Sequence, residues 1–138
     1  MFTSLTAFPL LSFALALYAL ITLLSGGDTW VASEAFSVMM PAGRALVISD
    51  GDVMVLVSLL LLFVEIVKAV STGALTLINH GLSVLLLVVC IILFITQASF
   101  ANSAFLLLTV MALFDVVAGI VITTVSARRD FGGSSLNH

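Results

Sequence analysis

An all-α integral membrane protein, with four transmembrane helices in an up-down bundle and a short amphipathic interfacial helix between helices 1 and 2, is the fold class this sequence predicts. Three observations predict it. The 138 residues are 62% hydrophobic and 8% charged, with a mean hydropathy of +1.38, whereas an ordinary soluble domain is roughly 45–50% apolar and 25% charged. The apolar residues fall into four blocks, each close to the ~20 residues that a bilayer-spanning helix needs. Polar punctuation rich in Gly, Ser, Asn and Asp separates the blocks. A chain of this length holds a single transmembrane domain.

The first block covers about residues 5–24, with Pro9 in its opening turns and Ser25-Gly26-Gly27 closing it. A proline there removes an amide that has no intrahelical partner. No Lys or Arg precedes the block and no clear small-x-small motif follows it, which favours a span over a signal peptide.

Residues 25–52 form a segment too long for a bare turn, placed at the outer side. Within 29–49, Val31, Ala35, Val38 and Met39 fall at helical spacing opposite Ser33, Glu34 and Ser37, which predicts the amphipathic helix. Trp30 at its start suits a membrane interface, where an indole buries its body and keeps its N–H wet. A hairpin with "AFSVMM" and "ALVIS" as strands around "PAGR" is the competing reading.

The second span, 53–70, is opened by Ser49-Asp50-Gly51-Asp52, residues that accept hydrogen bonds from the orphan amides of a helix start. It places Ser58, Glu65 and Thr72 at heptad spacing, with Lys68 three residues after Glu65, close enough for an intrahelical ion pair. Ser71-Thr72-Gly73 turns the chain into the third span, 73–97. There Thr76, His80, Ser83, Leu87, Cys90, Phe94 and Gln97 follow alternating steps of four and three, and the other faces are almost purely Leu, Val and Ile. That seam is expected to face inward. "QASFANS" leads to the fourth span, 104–125, capped by Asn102 or Ser103, and residues 127–138 read as a short disordered tail.

Lys68, Arg128 and Arg129 share one side if four spans alternate, with Arg44 alone on the other. By the positive-inside rule both termini are cytoplasmic, as in a bacterial inner-membrane protein.

Chemistry is sought among the intramembrane polar residues. Asp115 lies ~16 Å from the inner boundary, where a carboxylate costs at least ~2.5–3.5 kcal/mol and must be neutralised, paired or turned inward. Thr109, Ala112, Ala118, Gly119 and Thr123 surround it with a small and polar stripe that lets another helix approach. Glu65 and His80 lie at similar depths, ~8 and ~10 Å from the cytoplasmic ends of their helices. Asp115, Glu65 and His80, with Lys68 at the edge, therefore form the candidate site, either for a proton or ion or for pairing helices.

A single cysteine, Cys90, excludes an intramolecular disulfide or CxxC pair. His80 and tail residue His138 cannot both ligate one haem in the bundle, and Glu65, His80 and Asp115 have no diagnostic metal spacing. No phosphate loop, nucleophile elbow or HExxH is present, and the net charge of −3 does not suit nucleic acid. The expectation is a non-enzymatic protein without cofactor or metal, embedded in the lipid bilayer. It would serve as an accessory or scaffold protein that forms a homo-oligomer or joins a larger membrane complex through its buried polar seam. An oligomeric proton-coupled transporter or ion channel using Asp115, Glu65 and His80 is the alternative.

Overall fold

The computed structural model describes residues 7–70 and 75–134, with the side chains of 75, 76, 130, 131, 133 and 134 outside the description. Thr72, the first residues of the first and third predicted spans, the Thr76 side chain and residues 135–138 thus fall outside the described residues. The described chain is mostly helical. Its helices are α1 (Leu11–Leu24), α2 (Asp50–Ala69), α3 (Leu75–Thr96) and α4 (Ser103–Ser134). Short 3-10 turns cover Thr29–Ala32 and Ala98–Phe100, and strands β1 (Glu34–Met39) and β2 (Ala45–Ser49) form a hairpin.

α4 packs along both α2 and α3, and α1 packs against α2. Contacts at the two ends fix the up-down order: Asn102 before α4 meets Tyr18 and Asp28 near the end of α1, while Leu10 before α1 meets Glu65 near the end of α2. Leu77–Thr96 and Ser103–Arg129 are long and apolar enough to cross a membrane; Leu11–Leu24 is apolar but shorter. α2 carries Asp50, Asp52, Glu65 and Lys68. These two long apolar helices point to a membrane protein.

α1 starts at Leu11, later than the sequence suggests, and its N-cap is Leu10. Proline disfavours helical geometry in the residue before it, so Phe8 stays outside and the helix begins after Pro9. Ser12 then bonds back to the Pro9 carbonyl through both its amide and its hydroxyl, at 3.0 and 2.6 Å.

The expected interfacial helix is a β-hairpin. β1 and β2 pair antiparallel with Phe36 opposite Ile48, Val38 opposite Leu46 and Met39 opposite Ala45. The turn decides the structure: Pro41 has the φ that a type I turn needs, the Gly43 amide donates to the Met40 carbonyl at 2.9 Å, and Gly43 takes φ +78°. Trp30 is also not wet. It is buried, and its Nε1–H donates to Thr22 Oγ1 at 3.0 Å. Tyr18 packs on it edge-on at 5.1 Å between centroids, and Phe100 and Phe105 complete an aromatic core at this end.

α2 opens with a capping box, in which Ser49 Oγ accepts from the Asp52 amide and the Asp52 carboxylate accepts from the Ser49 amide. The Ser49 amide and hydroxyl hold the exposed Asp52 carboxyl below its ordinary range. Gly51 lies against the 3-10 turn: a Cβ there would meet Val31 Cγ1 at 2.5 Å and the Val31 carbonyl oxygen at 2.7 Å. Asn102 caps α4, its Oδ1 accepting from the Phe105 amide at 3.0 Å. α4 runs on to Ser134, so the segment predicted as disordered tail is helical over its described part. Ser126-Ala127-Arg128-Arg129 contains neither Gly nor Pro, and Ala and Arg are strong helix formers.

Candidate functional site: a polar cluster inside the bundle

Each helix turns a different set of polar groups inward. α2 buries Gly51, Met54, Ser58, Leu62 and Glu65, a stripe with steps of three and four. α4 buries Ala104, Phe105, Leu108, Met111, Ala112, Asp115 and Gly119. The Thr109 and Thr123 hydroxyls close onto the carbonyls four residues back, at 2.9 and 2.8 Å, so neither adds a free polar group to that stripe. On α3 the buried line is Asn79, Ser83, Leu86 and Cys90. It overlaps the predicted seam at Ser83 and Cys90 and is rotated toward Asn79 and Leu86; His80 and Leu87 lie at its margin and Gln97 is exposed.

Glu65 is the hub. Only 1% of it is exposed. Its Oε2 accepts from the Leu10 amide at 2.8 Å and faces Lys68 Nζ at 3.7 Å, and its Oε1 accepts from Asn79 Nδ2. One carboxylate thereby ties the start of α1 to α2 and α3. The Leu10 amide is one of the orphan donors at a helix start, and no side chain of its own turn caps it. A carboxylate from another helix takes that place, at the positive end of the helix dipole. The ion pair between Glu65 and Lys68 joins residues three apart on one helix face.

Asp115 sits beside this hub, 6% exposed. Glu65 and Lys68 on α2 and His80 on α3 all act on it electrostatically. The Ser83 hydroxyl lies beside its carboxyl without closing a well-formed hydrogen bond. The four residues singled out in the sequence, Glu65, Lys68, His80 and Asp115, thus share one cluster. Gly119, one turn beyond Asp115, makes room for the His80 ring: a Cβ on Gly119 would come within 2.6 Å of Cε1.

The cluster divides into two parts. Around Glu65, both carboxylate oxygens have partners. Around Asp115 they do not: Asn79 Oδ1, His80 Nε2, Ser83 Oγ and Asp115 Oδ2 are the buried side-chain atoms without a hydrogen-bond partner among the described residues. Buried polar groups are normally satisfied. The four exceptions lie together on α3 and α4.

Asn79 is the residue of this cluster that the sequence reading does not include. Its signal was available, because Asn79, Ser83, Leu86 and Cys90 follow steps of four, three and four as regularly as the seam drawn through His80. Among the described residues no group of three or more His, Cys, Asp or Glu is arranged to hold a metal ion. A groove of about 440 Å³ lined by Leu17, Trp30, Asp50 and Met54 lies between α1 and α2 at the hairpin end, away from the cluster. Comparison with protein-family models, with curated proteins and with solved structures finds no match to this chain, so its site is read from its own geometry.

Proposed function

We propose that the chain is a four-span membrane protein, with the hairpin outside and both termini cytoplasmic, that works as an accessory or scaffold protein by assembling with copies of itself. The polar seam is buried within one chain at Glu65, Ser83 and Asp115. Assembly therefore runs through the hairpin. The observation that carries this reading is the sheet face formed by Phe36, Val38 and Leu46, each exposed over about half its surface. A two-stranded hairpin is marginal alone, and a contiguous exposed apolar face marks a contact surface. Because the face is a short antiparallel pair, a second copy can meet it across a two-fold axis.

The test is the mass of the detergent-solubilised full chain by light scattering, against a variant with Phe36→Ser, Val38→Ser and Leu46→Ser. The wild type is expected as a dimer or larger and the variant as a monomer with unchanged helical content. A wild type that is monomeric at all concentrations contradicts the reading.

A second reading, an oligomeric proton-coupled transporter or ion channel using Asp115, Glu65 and His80, is favoured by the unpartnered atoms around Asp115. Flux in proteoliposomes that disappears in Asp115→Asn would support it; an ion-tight wild type would remove it.

A further inference from the structure

Charge and hydrogen bonding around Asp115 are both out of balance in the same sense. Two buried carboxyl groups, Glu65 and Asp115, face one ammonium, Lys68, which already lies 3.7 Å from Glu65. One more positive charge would neutralise the cluster. The hydrogen-bond count says the same thing. Asn79 Oδ1 can only accept, since the Nδ2 of that amide donates to Glu65. An ionised Asp115 Oδ2 also only accepts, leaving the Ser83 hydroxyl and His80 Nε2 as the two atoms that can change role. The cluster is short of a hydrogen rather than short of an acceptor.

We propose that Asp115, bounded by Asn79, His80 and Ser83, is a binding site for one exchangeable proton, with His80 as the group through which that proton reaches solvent. A proton on Oδ2 converts the carboxyl into a donor among three waiting acceptors and cancels the unpaired charge in a single step. The exchange is balanced without a redox partner. A proton from water adds to the neutral His80 imidazole, an N–H bond of that transient imidazolium then breaks as an O–H bond forms at Asp115, and the half-buried ring returns to its neutral form with one proton gained by the cluster. Glu65 and Lys68 face the site from α2 and His80 from α3, while α1 contributes the Leu10 amide to Glu65. Gly119 is a positioning residue, because its missing Cβ sets where the His80 ring lies. The site depends on the bundle interior alone, so it stands or falls independently of assembly through the hairpin.

The test is infrared difference spectroscopy of the full chain, labelled with 13C-aspartate, in lipid nanodiscs, stepping pH at fixed salt and then Na⁺ at fixed pH. The expected result is a protonated-carboxyl band that carries the label, shifts in D₂O, titrates with pH, ignores Na⁺ and vanishes in Asp115→Asn. Absence of that band throughout the titration overturns the proposal. So does a response to Na⁺ at fixed pH, which would make the same oxygens an alkali-cation site. If Asp115→Asn does not fold, Ser83→Ala serves instead: it should keep the band and move its frequency, and an unmoved frequency counts against the assignment. Gly119→Ala should displace the His80 ring and change the proton affinity by about tenfold, roughly one pH unit. An unchanged midpoint overturns the role given to His80.

Discussion

The backbone amide of Leu10 donates to the carboxylate of Glu65 at 2.8 Å, across 55 positions of sequence. A helix start that lacks a cap of its own is thereby closed by a side chain from the far end of another helix. Replacing Glu65 by Leu should strand both the Leu10 amide and the Asn79 amide group and leave Lys68 beside an apolar side chain. Breaking a buried pair from one side costs about 3–5 kcal/mol. Glu65→Gln keeps one acceptor and should cost less, about 1–3 kcal/mol. Thermal unfolding in detergent, followed by circular dichroism, should rank wild type above Glu65→Gln above Glu65→Leu; equal stability of the two variants would deny Glu65 its role as hub.

Two helix glycines should respond to alanine in opposite directions. At Gly51 a Cβ would press on the Val31 side chain and carbonyl, so Gly51→Ala should destabilise by about 1–3 kcal/mol. At Gly81 a Cβ meets nothing within 4 Å, so Gly81→Ala should stabilise α3 by up to about 1 kcal/mol. Melting the two variants side by side checks the close approach of α2 to the 3-10 turn. A stabilising Gly51→Ala would contradict it.

The chain has one tryptophan, and fluorescence therefore reads a single site. Thr22→Val removes the acceptor of the Trp30 indole N–H while keeping the shape of the side chain. The buried N–H then lacks a partner, at a cost of about 1–3 kcal/mol. A lowered melting temperature is expected together with a changed emission maximum. Unaltered emission and stability would place Trp30 somewhere other than on Thr22.

Acid should weaken the start of α2. The Asp52 carboxyl is held below its ordinary range by Ser49, so the folded state binds its proton less readily than the unfolded state does. The contribution of the capping box is then full above the ordinary carboxylate value near ~4 and is lost as pH falls through the lowered value. Ser49→Ala should cost about 1 kcal/mol at neutral pH. Its disadvantage against the wild type should shrink in acid, and a constant difference across that range would deny the box its titrating member.

Legibility in the sequence followed the range of the interaction. Caps such as Ser49 with Asp52, and Asn102 before α4, depend on residues three apart and were readable, as was the spacing of Glu65 and Lys68. So was the inward turn of Asp115, because a carboxylate flanked by Ala112 and Gly119 has one favourable direction. The hairpin is not separable from a helix by pattern, because Val31, Ala35, Val38 and Met39 satisfy a helical period while Phe36, Val38 and Leu46 satisfy a strand period, and only the turn geometry at Gly43 separates the two. Asn79 escapes the seam because His80, next to it, sets the same period one position away. The bond from Leu10 to Glu65 could not be read at all, since a backbone amide leaves no mark in composition or period.

The measurement closest to the centre of this account is topology by substituted cysteines. In a Cys90→Ala background, Arg44→Cys, Thr72→Cys, Gln97→Cys and Ala127→Cys would each be exposed to a membrane-impermeant maleimide from either side. A four-span bundle requires Arg44 and Gln97 to label from the outside and Thr72 and Ala127 only from the cytoplasm. If Arg44 and Thr72 label from the same side, α2 does not cross, and the polar cluster does not lie inside a four-span bundle.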